Sequence, residues 1–182
     1  FGRSAAEFAL SSKGAIAAVW ENNEGSKAYV SVVDPSGAAL VSNHQIYNGT
    51  EAGLAAAGAR VAWFADGRRL LISAKRRLNE VYVVSAGRSE GYELIRLKGV
   101  PRRAISIDSL EVSSDDARAA MSVSVRYADT EQGQGLLPAQ QVHKEIFVLG
   151  LESGAVTQLT GIPEAARGGS VPVRHNHPVW SP

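Results

Sequence analysis

Few residues in this chain are spaced for chemistry, and each such group has a plainer reading beside it. His175-Asn-His177 sets two imidazoles at i and i+2. In an extended segment these project from the same side, so His175 and His177 are a candidate metal pair. The other histidines are only His44 and His143, and no carboxylates gather beside the pair, so a connecting loop is the heavier reading. Gly87-Arg-Ser-Glu-Gly91 fits the G-x-S-x-G pattern of a nucleophile elbow, which needs a strand-to-helix turn to expose its serine. It falls between two predicted strands with no helix after it, and reads as a hairpin turn. Arg68-Arg69, Lys75-Arg-Arg77 and Arg102-Arg103 carry the charge for phosphate contacts. Asp66, Glu80, Glu90 and Glu93 are interspersed and aromatic residues make up only 7%, so these pairs read as solvated turns. Asn48-Gly-Thr50 is a formal glycosylation sequon. No catalytic residue and no cofactor follow from these groups.

The 182 residues suffice for one domain with its own core. With 45% apolar and 20% charged residues, the chain is neither disordered nor of low complexity. No apolar run approaches the roughly 20 residues that cross a bilayer, so no membrane span is predicted. There is no cysteine, which excludes disulfides, thiolate zinc sites and cysteine nucleophiles. The 19 Lys and Arg against 18 Asp and Glu leave a net charge of +1, too weak a field to predict a nucleic-acid partner. The chain opens at Phe1 with no apolar signal-peptide core, so a processed chain or a fragment is expected.

Strands must position whatever this chain does. Helical patterning is nearly absent: Glu51 to Gly58 is Ala-rich but broken by Gly53, and fits a loop equally well. Elsewhere short apolar runs are bounded by Gly, Asp, Asn, Ser and Pro, the signature of many short strands. The runs repeat as a unit. A short apolar strand leads through a small polar turn to a strand rich in Ala, Leu, Ile and Val. A variable loop, a strand like Val81-Tyr-Val-Val84, a Gly turn and a last strand follow. The residue before the first turn is Leu10, Trp63, Val112 and then Trp180, at intervals of 53, 49 and 68. Two insertions, Asp129 to Gln141 and Ile162 to Arg174, lengthen the third interval. Four strands per unit and a period near 50 predict an all-β chain: a β-propeller fragment of four-stranded antiparallel blades. The blades fall at about 8–47, 59–97 and 108–160, with a further one starting at 177–182.

Trp180-Ser-Pro182, Trp63-Phe-Ala-Asp-Gly-Arg68 and Val112-Ser-Ser-Asp-Asp116 resemble the Trp-Ser-Pro-Asp-Gly-Lys signature of TolB-like propeller repeats. Lys144 to Thr160 is similar to the second half of that repeat, with its Gly turn and closing Leu-Thr. The first copy departs from the pattern with Lys13 where Asp is usual, and the third with Asp116 where Gly is usual. The resemblance implies a non-catalytic binding module for another protein, in the periplasm or elsewhere outside the cytoplasm. It leaves two alternatives: the accessory propeller of a prolyl-oligopeptidase-like peptidase, and a propeller lyase with a His-bound metal.

Three units and an opening strand are too few for the usual ring of about four to eight blades, and open edges invite pairing. The expected partner is therefore another protein or the remainder of the propeller. Self-association of two copies head to tail would bring about six blades together. The two insertions join second to third strand and one blade to the next. Both kinds of connection lie on one face of a propeller, so both should rim one mouth, with His175 and His177 close by. Asp66-Gly67 and Ser114-Asp115 are predicted to form equivalent tight turns, with Trp63 and Val112 buried beside them.

Overall fold

A computed structural model describes residues 5–21, 27–48, 59–73, 78–86, 92–126, 142–161 and 180. These residues form strands and no helix. In chain order they are β1 Ala5–Leu10, β2 Ile16–Glu21, β3 Lys27–Val33, β4 Ala39–Asn48, β5 Arg60–Trp63 and β6 Arg69–Ser73. Then come β7 Glu80–Ser85, β8 Glu93–Arg96, β9 Ala104–Val112, β10 Arg118–Arg126, β11 Val142–Gly150 and β12 Val156–Gln158. Each strand pairs antiparallel with its sequence neighbour, giving three four-stranded sheets: β1 to β4, β5 to β8 and β9 to β12. The chain is all-β.

Side-chain alternation decides how the sheets stack. In β3 only every second residue is buried, because one face meets another sheet. Ala17, Val19, Val30 and Val32 of the first sheet pack against Val61, Leu70, Ile72, Tyr82 and Val84 of the second. The opposite face of the second sheet, Leu71, Val81, Val83 and Ile95, packs against Ile107, Met121, Val123, Phe147 and Leu149 of the third. The middle sheet is therefore covered twice. That is why Leu70-Leu-Ile72 and Val81-Tyr-Val-Val84 are continuous apolar runs: a strand with both faces covered has no solvent side to alternate with. A parallel bridge from Lys98 to Ala155 adds backbone bonds between the second and third sheets.

The turns from first to second strand repeat at fixed positions. Gly14, Gly67 and Asp116 each sit four residues past Leu10, Trp63 and Val112, and have φ of 81°, 62° and 57°. Glycine meets this demand without a Cβ penalty, whereas a side chain there costs roughly 1–2 kcal/mol. Asp116 offsets that strain with its carboxylate: Oδ1 accepts from the Ala65 N–H at 2.6 Å, and Oδ2 pairs with Arg69 at 2.9 Å. One position earlier, Asp66 and Asp115 accept the backbone N–H two residues on. Lys13 cannot, so the Ser11 hydroxyl takes the Ala15 N–H at 2.9 Å instead.

Trp63 and Val112, expected buried, are half-buried. The indole of Trp63 lies along the seam because its Nε1–H donates to the carbonyl of Ala9 at 3.1 Å. Trp180 repeats the bond, donating to the carbonyl of Glu111 at 3.3 Å. The third sheet starts at Ala104, ahead of residue 108. Register shifts near Ser122 and Ser124 let β9 continue back until Ala104 faces Val125.

Candidate functional site

The two ends of the sheets differ chemically. At one end the turns from first to second strand are tied to each other. Lys13 Nζ donates to the carbonyl of Asp66 at 2.6 Å, which joins the first turn to the second. Asp116 reaches the second from the third through Ala65 and Arg69. Arg69 also pairs with Asp66 at 2.6 Å and lies over the Phe64 ring at 4.3 Å. Arg118 lies over the Trp180 ring at 5.4 Å. Arg69, read from sequence as part of a solvated turn, is thus a bracket between sheets.

Partial burial pushes the Asp66 carboxyl up. Hydrogen bonds from the Arg69 side chain and from the Arg68 and Arg69 N–H groups outweigh it and hold the pKa below the ordinary value. A depressed folded pKa means the bracket is fully present above the ordinary carboxylate range and is lost as pH falls through the folded value. We expect Asp66→Asn to lose about 1 kcal/mol at pH 7, a modest figure because the pair is half-exposed. In urea melts the gap to the parent should close below about pH 4. A gap that stays constant with pH would count against the bracket.

The other end gathers arginines. Arg102 and Arg103 sit in the turn that leads into β9, and Arg126 ends β10. The antiparallel register brings them together: the Arg126 N–H donates to the carbonyl of Arg103 at 2.9 Å. With Ala104 and Ile105, the three arginines border a hollow of about 240 Å3. Among the described residues none of the three has a carboxylate partner. Sequence reasoning set Arg102-Arg103 down as a solvated turn and did not single out Arg126, whose only signal is its place at the end of a strand.

Other polar groups are built into the sheets. His143 and Glu145 are buried on the face of β11 that meets the middle sheet, and Thr160 Oγ1 donates to Glu145 at 2.9 Å. Asp108 accepts from Ser106 and Ser124, with Lys144 at 3.8 Å. His175 and His177 lie outside the described residues, as do Asp129 to Gln141, Ile162 to Arg174 and Glu51 to Gly58. His44 is in β4, opposite Val30. Among the described residues no three His, Asp or Glu are grouped to hold a metal. Gly87 to Gly91 also lies outside them, but the elements it joins, β7 and β8, belong to the antiparallel second sheet. A nucleophile elbow needs a helix there. No helix among the described residues is long and apolar enough to cross a membrane.

No family model matches the chain, and no curated protein does. Among solved structures, one titled "Crystal structure of the eukaryotic initiation factor" is similar at 13% identity and a TM-score of 0.28. The similarity covers 87% of this chain and 55% of that one, so the chain spans about half the length of that structure.

Proposed function

We propose that the stacked sheets are a section of a β-propeller that acts as a non-catalytic binding module for another protein. Three features support the propeller reading. The first strands lie side by side in series, β1 beside β5 and β5 beside β9, as they do around a propeller axis. The Trp63 and Trp180 bonds repeat one junction at two seams. The outer face of the first sheet exposes Phe8 at 64%, Leu10 at 70%, Ile16 and Leu40, the kind of face a neighbouring sheet covers elsewhere in the molecule. A further sheet, from the remainder of the ring or from a second copy, fits there. Placement in the bacterial cell envelope follows the resemblance to TolB-like repeats.

The observation that carries the binding role is the asymmetry of the two ends. At the turn end the charged groups bracket one another, which serves the fold. At the opposite end three arginines are exposed, with no carboxylate partner among the described residues, and this end also carries the connection from β8 to β9. Loops on a rigid scaffold are where recognition is built. The test is a photo-cross-linking benzoylphenylalanine at Ile105 or, separately, at Lys13, in cells that make the protein. The expected result is a discrete protein adduct from position 105 and none from 13. No adduct from either, or equal adducts from both, would overturn the assignment.

A further inference from the structure

We propose that the hollow bordered by Arg102, Arg103 and Arg126 binds the phosphate group of a small phosphate monoester. The proposal rests on the reading that this end is the working one, and adds the ligand chemistry. Three arginines bordering one hollow gather like charge, and a chain of net charge +1 has no general surplus of cations to explain the gathering. Elsewhere Arg60, Arg69 and Arg118 each have a carboxylate within 4 Å: Glu7, Asp66 and Asp115 in turn. The three arginines here have none among the described residues; Arg68 and Arg96 also have none, but Arg102, Arg103 and Arg126 border one hollow, where a single anion from outside could meet all three.

Geometry selects the anion. A guanidinium offers a planar fork of donors that matches carboxylate and phosphate oxygens two at a time. One carboxylate has two oxygens and satisfies one fork. A tetrahedral phosphate has enough oxygens, and enough charge, to serve several forks at once. The remaining wall is Ala104 and the half-buried Ile105, an apolar ledge suited to the organic part of an ester. At about 240 Å3 the hollow is smaller than the roughly 300–1,000 Å3 of most ligand pockets, which favours a compact ester over a dinucleotide. The arginines need no folding step to meet it. Arg103 and Arg126 are joined by a backbone hydrogen bond where β9 and β10 pair, so their spacing is fixed by the sheet.

The purified chain is titrated with phenyl phosphate, inorganic phosphate and acetate while amide NMR shifts are followed. The expected result is saturable shifts at residues 102–105 and 126, with phenyl phosphate binding tighter than inorganic phosphate and acetate not saturating. Arg103→Gln and Arg126→Gln should each weaken phenyl phosphate at least tenfold. Arg68→Gln, at the opposite end, should leave it unchanged. All three positions are on the surface, and unchanged thermal melts would show that the variants fold. Shifts that do not saturate, acetate binding as tight as phosphate, or affinity that survives both substitutions would each overturn the site. A cross-link from position 105 that persists without any phosphate binding would remove this site while leaving the binding-module reading intact.

Discussion

Gly154→Ala should cost about 3 kcal/mol, while the same change at Gly37 should cost only about 1. Both glycines have positive φ, +69° at Gly154 and +87° at Gly37, so an alanine at either meets the same backbone penalty. They differ in what surrounds them. A Cβ at Gly37 would meet nothing within 4 Å, whereas one at Gly154 would stand 2.2 Å from the carbonyl oxygen of Arg96. That oxygen is backbone at the end of β8 and cannot swing aside. The turn that holds Gly154 is also where the sheets are bridged: the Lys98 N–H donates to the Gly154 carbonyl at 2.8 Å, and the Val156 N–H to the Lys98 carbonyl at 2.7 Å. Relieving the clash would pull the third sheet away from the second. Urea denaturation of the two variants against the parent measures the difference directly. Equal losses would mean that the sheets are not held this close.

That turn was legible in the sequence only as a glycine between strands. Its partner across the seam was not, because Arg96 and Gly154 are distant in the chain and their approach depends on how two sheets stack. The same division runs through the molecule. The strands could be read because their apolar runs are short and bounded by turn residues, and the units because Leu10, Trp63 and Val112 recur at one phase of the pattern. The departure at Asp116 was visible as a non-glycine in a glycine position. Its purpose was not, since the recipients of its carboxylate, Ala65 and Arg69, belong to the neighbouring sheet. The basic pairs show the limit most clearly. Arg69 and Arg102 look alike as neighbours of a second arginine in a turn. One is neutralised by two aspartates and stacked on Phe64; the other borders one hollow with Arg126, beside a strand register that contains two irregularities. Periodicity sets which face a side chain takes, but bulges set which distant residue it meets.

The clearest consequence of the stacking is expected at two adjacent residues. Leu70→Ala and Leu71→Ala should each lose about 3 kcal/mol, a large fraction of the roughly 5–15 kcal/mol that holds a domain together. In a sheet with one covered face, neighbours on a strand alternate, and one of any such pair can be truncated at little cost. Here both side chains are fully buried, at 0% exposure. Leu70 enters the cluster with Val19, Val30 and Val32 of the first sheet, and Leu71 enters that with Met121 and Phe147 of the third. Each truncation would leave a cavity in a different interface, and β-sheet pleating gives neither alanine a way to collapse into the other's space. Ile16→Ala supplies the comparison. That residue is on the outer face of the first sheet, 44% exposed, and should lose well under 1 kcal/mol in the isolated chain. Chemical denaturation of the three variants decides the matter. If either leucine variant loses less than 1 kcal/mol, the middle sheet is not covered on both sides, and the serial stacking on which the propeller reading depends is wrong.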